Sequence, residues 1–145
     1  MGRFFSKSLL FGTLILSAWF FLCYGRYSYP FNGDAMGYYM YLPSTFIYHN
    51  HKALDWLPEK EKFDYRVQFY LDEMRREGAY TPKGYLIDKY TYGVAALELP
   101  FFFMAHAWEK VTGGNADGYS ASYCNMVKLS SAFYALLGIL LLYKI

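Results

Sequence analysis

The sequence predicts an α-helical integral membrane protein with about three transmembrane helices and a long, mainly helical extracytoplasmic loop between the first and the second. Three observations support this fold class. Hydrophobic residues make up 55% of the 145 residues and are concentrated in blocks, whereas most charged residues lie between the blocks. The blocks lack the spacing of an amphipathic soluble helix and approach the length that crosses a bilayer. The region between the first two blocks is rich in tyrosine, which suits the membrane interface.

The first apolar block covers residues 8–24 and contains no charged residue. Its length is near the lower limit for a transmembrane helix. A cleaved signal peptide is the alternative, but residues 19–21 are bulky aromatics where a cleavage site prefers small residues. Arg3 and Lys7 precede the block, so an uncleaved helix would place the N-terminus in the cytoplasm.

The loop of residues 25–91 should then lie outside the cytoplasm. Its content of tyrosine and phenylalanine is too high for a disordered segment. Residues 34–49 are nearly all apolar or aromatic, and Gly37 and Pro43 interrupt them, which argues against a straight transmembrane helix. Short helices that lie in the membrane interface fit this segment better.

The second half of the loop predicts an amphipathic helix that ends near Gly78. Its apolar residues recur at helical spacing and are Phe63, Val67, Tyr70, Leu71 and Met74. Charged side chains fill the opposite face. Residues 81–84, Thr-Pro-Lys-Gly, predict a turn.

The second predicted transmembrane helix covers residues 92–108, and the third covers residues 129–145. Glu98 lies inside the second helix, where an acidic residue either faces a cavity or a partner or sits at a bend near Pro100. The third block reaches the last residue of the chain. We therefore expect this chain to be part of a larger polytopic protein and to be inactive alone.

Composition also excludes several function classes. The net charge is +2 and no basic run is present, which argues against a nucleic-acid partner. Cys23 and Cys124 lie at the ends of different apolar blocks, and the predicted topology places them on opposite sides of the membrane. We expect no disulfide between them. The sequence has no Cys/His cluster of the kind that binds structural zinc.

Asp34 is the first candidate functional residue. It follows the first apolar block, directly after Gly33, and apolar residues follow it. A partly desolvated carboxylate at the outer membrane face could act as a general base. The alternative is a helix N-cap, which is a favoured role for aspartate.

Lys89 is the second candidate, together with Tyr90. Lys89 is the last charge before the second apolar block, so its ammonium group should lie at the depth of the lipid headgroups. It could bind the phosphate of an anionic lipid, or it could only anchor the helix at the interface. The neighbouring Asp88 would either hold the ammonium group or compete with the phosphate.

The order of these features resembles the start of the membrane glycosyltransferases with the C-type fold. Protein O-mannosyltransferases and the transferases that add aminoarabinose to lipid A belong to this group. Residues 89–93 and 100–102 are similar to the group's K-Y-P-P-G or K-P-P-L stretch and the Pro-Phe of the helix that follows. Residues 128–143 are similar to the next helix, which often reads R-L-x-S-A-L-L-G. Ala35 departs from the group, where several families have glutamate, and so do Thr91 and Tyr92, which replace prolines.

The resemblance implies transfer of a sugar from a polyprenyl-phosphate carrier at the outer face of a bacterial inner membrane. Asp34 matches the acid that serves as base or as ligand of a divalent cation. Lys89, with Tyr90, matches the residues that handle the carrier phosphate. Further transmembrane helices of the full-length protein would complete the fold. The competing hypothesis is a non-catalytic polytopic membrane protein, such as a transporter or assembly subunit, whose tyrosine-rich loop binds a partner.

Overall fold

The computed structural model of the protein describes residues 29–50 and 78–144, together with isolated positions among residues 11–19 and 68–76. Most of these residues are helical, as predicted. The elements are α1 (Asp34–Tyr39), α2 (Tyr41–Phe46), β1 (Ala79–Tyr80), β2 (Leu86–Ile87), α3 (Tyr92–Thr112) and α4 (Ala121–Lys144). The described positions in the predicted first transmembrane helix and in the predicted amphipathic helix are helical as well.

The predicted turn at residues 81–84 is present and joins two short antiparallel strands. The N–H of Thr81 donates to the carbonyl oxygen of Tyr85 at 2.8 Å, and the N–H of Gly84 donates to the carbonyl oxygen of Thr81 at 2.8 Å. Gly84 has a φ of 79°, a conformation that glycine adopts without strain. This hairpin leads the chain into the Lys89 segment.

Residues 34–46 form two short helices in nearly continuous register, and we refer to them as the α1–α2 segment. Met40 joins the helices in a right-handed helical conformation, and the N–H of Met40 donates to Met36 at 2.9 Å. Pro43 lacks an N–H and therefore removes one bond from the helical ladder. The sequence predicts short helices here, and the structure confirms them.

Helices α3 and α4 form an antiparallel pair. Near the turn that joins them, Nδ1 of His106 lies 2.6 Å from the hydroxyl oxygen of Tyr123. Further along, the hydroxyl of Tyr134 donates to the carbonyl oxygen of Leu97 at 2.8 Å. Helix α3 begins at Tyr92, as predicted, and extends four residues past the predicted end at residue 108.

Helix α4 begins eight residues before the predicted start at residue 129. The carboxylate of Asp117 accepts hydrogen bonds from the N–H groups of Tyr119 and Ser120, at 2.7 and 2.8 Å, and so fixes the turn before the helix. The thiol of Cys124, in the first turn of α4, lies 3.7 Å from the carbonyl oxygen of Tyr119. Cys23 lies outside the described residues, so the expected absence of a disulfide stays a prediction.

One helix among the described residues is long and apolar enough to cross a membrane, namely residues Ala121–Leu142 of α4. Helix α3 has a comparable length but contains Glu98, Glu109 and Lys110 and does not meet the same criterion. A membrane-associated helical protein is therefore supported. The number of three transmembrane helices stays a prediction.

The core forms where the α1–α2 segment packs between α3 and the α3–α4 turn. Tyr39 is fully buried at its centre, and its hydroxyl donates to the carbonyl oxygen of Gly118 at 2.5 Å. The ring of Tyr39 stacks on Phe31 at a centroid distance of 4.1 Å and meets Phe102 and Tyr119 edge-on. A Cβ atom on Gly118 would lie 2.7 Å from Cβ of Pro43, so the turn approaches α2 as closely as glycine allows.

These contacts do not support the predicted position of the second transmembrane helix. The prediction assigns residues 25–91 and the α3–α4 turn to opposite sides of the membrane. In the structure, Tyr39 contacts Gly118, and the hydroxyl of Tyr48 donates to the carbonyl oxygen of Asp117 at 2.9 Å. A hydrocarbon core about 30 Å thick cannot separate residues that touch, so Tyr39 and Tyr48 lie at the depth of the turn. Tyr90 lies beside the opposite end of α3, and the topology of the loop as a whole stays a prediction.

Replacing Tyr39 by phenylalanine should lower the stability of this core. The change keeps the ring but removes the donor to Gly118, which leaves a buried carbonyl group without that hydrogen bond. We expect the free energy of unfolding to fall by about 1–2 kcal/mol. Thermal unfolding of the protein in detergent would measure the effect, with the exposed Tyr92→Phe as the matched control. Equal melting temperatures for the two variants would contradict the structural role of the Tyr39 hydroxyl.

Candidate functional site

Asp34 is the first residue of α1, and the structure tests its predicted role as a helix N-cap. The N-cap position is occupied by Gly33, with φ 51° and ψ −128°, and no side chain caps the helix. The N-cap interpretation of Asp34 is therefore wrong. The side chain is also exposed rather than partly buried, so the expected desolvation of its carboxylate is absent.

The carboxylate of Asp34 is instead held by a distant residue. The hydroxyl of Tyr90 donates a hydrogen bond to Oδ1 of Asp34, across 56 positions of the sequence. This hydrogen bond is the main cause that raises the pKa of Tyr90, because ionising the phenol would place a second negative charge beside the carboxylate. Tyr90 thus stays a neutral donor.

The ring of Tyr90 packs on helix α1. It lies directly over Gly37, where a Cβ atom would overlap the ring. It also meets the ring of Tyr38 edge-on, at a centroid distance of 4.8 Å. Glycine inside a helix ordinarily costs about 0.5–1 kcal/mol relative to alanine, and here its lack of a side chain permits the close approach of the ring.

Lys89 also contacts Tyr90, and its side chain is hydrogen-bonded to the same hydroxyl group. Its Nζ is 5.1 Å from the centroid of the Tyr90 ring, within the range of a cation–π interaction. Both Lys89 and Asp34 are exposed at the protein surface. The structure therefore brings the predicted site residues Asp34, Lys89 and Tyr90 together in one cluster.

Asp88 and Tyr41 form hydrogen bonds with the backbone of Tyr90. Oδ1 of Asp88 accepts the N–H of Tyr90 at 2.9 Å, while the hydroxyl of Tyr41 donates to the carbonyl oxygen of Tyr90 at 2.7 Å. Burial raises the pKa of the Asp88 carboxyl, and the hydrogen bond from Tyr90 opposes that shift. The carboxylate of Asp88 therefore helps to fix the position of the Tyr90 backbone.

Sequence reasoning missed Gly37, Tyr38 and Tyr41 as parts of the site. One signal could have found them. Counted from Asp34, these residues stand at positions i+3, i+4 and i+7, which share one face of a helix.

The site also lies beside the start of α3. Thr91 occupies the N-cap position of this 21-residue helix and makes no side-chain capping hydrogen bond. The first N–H groups of α3 therefore contribute a partial positive charge close to Lys89.

The described residues do not fit a divalent cation at Asp34. Within residues 29–50 and 78–144, no three side chains of His, Cys, Asp or Glu are grouped as metal ligands. The ammonium group of Lys89 on the Tyr90 ring would also repel a cation at the neighbouring carboxylate. A divalent cation at Asp34 stays a prediction.

Glu98 does not belong to this cluster. It lies on α3 near Tyr39, and its Oε2 is buried with no hydrogen-bond partner among the residues that the structure describes. The interpretation that Glu98 faces a cavity or a partner stays a prediction.

Comparison with protein-family models, with curated proteins and with solved structures yields no match for this chain. The resemblance to the C-type glycosyltransferases therefore stays a prediction from the sequence.

Proposed function

We propose that the chain is the N-terminal segment of a membrane glycosyltransferase. The enzyme would transfer a sugar from a polyprenyl-phosphate carrier to an acceptor at the outer face of a bacterial inner membrane. One observation carries the proposal: Asp34 and Lys89, which are far apart in the sequence, both contact the side chain of Tyr90.

The two charged groups suit the two halves of such a reaction. The exposed carboxylate of Asp34 already accepts a hydrogen bond from a hydroxyl group, that of Tyr90. An acceptor hydroxyl can approach the same carboxylate and give up its proton as it attacks the sugar. The exposed ammonium group of Lys89 can pair with the carrier phosphate and stabilise it as the leaving group.

The apolar surface beside the cluster supports a lipid-linked donor. Helix α3 starts two residues after Tyr90, and its exposed side chains are uncharged from Tyr92 to Trp108. Leu97 and Met104 are each 54% exposed and Trp108 is 62% exposed. An apolar surface of this kind suits lipid chains or further helices. The polyprenyl chain of a carrier could therefore lie against α3 while its phosphate reaches Lys89.

A non-catalytic role is the second candidate. The β1–β2 hairpin exposes Tyr80 and Tyr85, at 46% and 41%, close to the Lys89 segment. Exposed tyrosines are frequent at sites that bind protein partners. A binding protein would not need the carboxylate of Asp34, and a change that removes only its charge separates the two functions.

Lys89 gives the first test of the carrier site. Replacing Lys89 by alanine removes a charged hydrogen-bond donor and should weaken the binding of polyprenyl phosphate about tenfold or more. Lys89→Arg should retain much of the affinity, because arginine keeps the charge and also stacks on aromatic rings. Titration of the full-length protein in lipid nanodiscs would measure both affinities.

Lys83→Ala is the matched control for Lys89→Ala. Lys83 is an exposed lysine in the β1–β2 turn, so its removal changes the net charge equally. Unchanged affinity in both Lys89 variants would show that Lys89 only anchors the helix at the interface. An equal loss in Lys83→Ala would point to a general charge effect.

A further inference from the structure

The β1–β2 hairpin has two faces, and the strand register decides which residues share each of them. Ala79 pairs with Ile87, so their side chains lie on one face, and Tyr85 shares it because it stands two positions before Ile87. Tyr80 lies on the opposite face. Ile87 is 50% exposed and Tyr85 is 41% exposed. We refer to the face that contains Tyr85 and Ile87 as the hairpin face.

The hairpin is held beside the first residue of helix α3. Only residues 88–91 separate strand β2 from Tyr92. Within this connection, the carboxylate of Asp88 accepts the N–H of Tyr90, and the hydroxyl of Tyr41 donates to the carbonyl oxygen of Tyr90. These hydrogen bonds fix the connection on α2. The hairpin therefore lies at the same depth as the start of α3.

Helix α4 gives the depth of this point relative to a membrane. Its residues Ala121–Leu142 are long and apolar enough to cross a bilayer. The hydroxyl of Tyr134 donates to the carbonyl oxygen of Leu97, which aligns the two antiparallel helices at these residues. From there, Tyr92 and Leu142 lie in the same direction, each on the order of 10 Å along its helix. The start of α3 therefore lies near the end of the apolar window of α4, close to a membrane surface.

The chemistry of the hairpin face suits the boundary between hydrocarbon and lipid headgroups. A tyrosine places an apolar ring and a polar hydroxyl group at this boundary, and an isoleucine removes apolar area from water there. The exposed Lys89 follows the hairpin face, and Lys144 follows the apolar window of α4. Both lysines complement the phosphate groups of lipids at this end of the helix pair.

We propose that the hairpin face docks on the lipid headgroup layer of the membrane that α4 enters. The exposed surface of α3 begins at Tyr92 and Leu97 and continues the same lipid contact toward the hydrocarbon core. Docking fixes the depth of Lys89, which follows β2 directly. The proposal goes beyond the proposed function, because it requires no sugar transfer. It also assigns Tyr85 to a lipid surface instead of a protein partner.

Fluorescent labels at single cysteines test this docking in the full-length protein in nanodiscs. Cys23 and Cys124 are first replaced by serine, and Ile87→Cys or Tyr80→Cys then carries the label. A nitroxide attached to the lipid headgroup quenches only those labels that approach it. We expect Ile87→Cys to lose most of its fluorescence. Tyr80→Cys is the matched control at a similarly exposed position on the opposite face, and it should retain its fluorescence.

Tyr85→Cys provides a second position on the hairpin face and should be quenched like Ile87→Cys, so the test does not depend on one variant. A nitroxide at the end of the acyl chains should quench both labels less. Melting temperatures equal to that of the unsubstituted protein would establish that the variants are folded. Retained fluorescence at residues 85 and 87 would overturn the proposal and favour a hairpin that binds a protein partner. Equal losses at residues 80 and 87 would also overturn it, because a docked hairpin turns only one face to the lipid.

Discussion

The Asp34→Asn variant of the full-length protein is expected to lose sugar transfer while expression and carrier binding remain. Asparagine has the shape of aspartate, and its amide oxygen can still accept the hydroxyl of Tyr90. It cannot take a proton from an acceptor. A positioned general base contributes about 10²–10⁴-fold to a rate, so the loss should be at least 100-fold. Transfer of a radiolabelled sugar from its polyprenyl-phosphate carrier in isolated membranes would measure it.

Asp72→Asn provides the matched control for Asp34→Asn. Asp72 is an exposed aspartate in the helical part of the loop, so the same chemical change occurs away from the cluster. We expect its activity to equal that of the wild type. Unchanged activity in Asp34→Asn would remove Asp34 from the mechanism and favour a protein whose loop only binds a partner.

Gly37→Ala is expected to disrupt the site without destabilising helix α1. Alanine favours a helix over glycine by about 0.5–1 kcal/mol, so the backbone should tolerate the change. The added Cβ would overlap the ring of Tyr90, so the ring would have to move away from α1. Tyr90 would then lose both the hydrogen bond from its hydroxyl to Asp34 and its contact with Lys89. Together these interactions correspond to roughly 30-fold or more in transfer rate.

Gly138→Ala tests whether any added methyl group would have the same effect. Gly138 also lies inside a helix, α4, and a Cβ atom there would meet open space. Its activity should match the wild type, and circular dichroism should show folded protein for both glycine variants. Full transfer activity in Gly37→Ala would show that the position of the Tyr90 ring has no effect on the reaction.

Local features of the sequence predict much of the fold. The turn at residues 81–84 follows from Thr-Pro-Lys-Gly, and the start of α3 at Tyr92 follows from the end of the charged segment at Lys89. The predicted start of α4, residue 129, lies eight residues after the observed start. Residues 121–128 have mixed polarity, so a prediction from hydropathy places the start of the helix after them. Packing of Tyr123 against Phe102 and His106 extends the helix toward the turn.

The candidate site could be predicted only in part. Asp34 and Lys89 are recognisable because each borders an apolar segment. Their pairing through Tyr90 depends on a contact between Asp34 and Tyr90, which are 56 positions apart in the sequence. Hydropathy and residue spacing do not predict a contact over that distance. From the sequence, Gly37 only interrupts an apolar segment. In the structure, its lack of a side chain leaves room for the Tyr90 ring. The packing of Tyr39 and Tyr48 on the α3–α4 turn was missed for the same reason.

A steady-state transfer assay that compares Asp34→Asn and Lys89→Ala with the wild type tests the central claim most directly. The full-length protein would be supplied with increasing concentrations of a radiolabelled polyprenyl-phosphate sugar. We expect Asp34→Asn to lose kcat with its carrier affinity unchanged, and Lys89→Ala to lose carrier affinity. Wild-type rates in both variants, or absence of transfer by the wild-type protein, would contradict the assignment of these residues to one glycosyltransferase site.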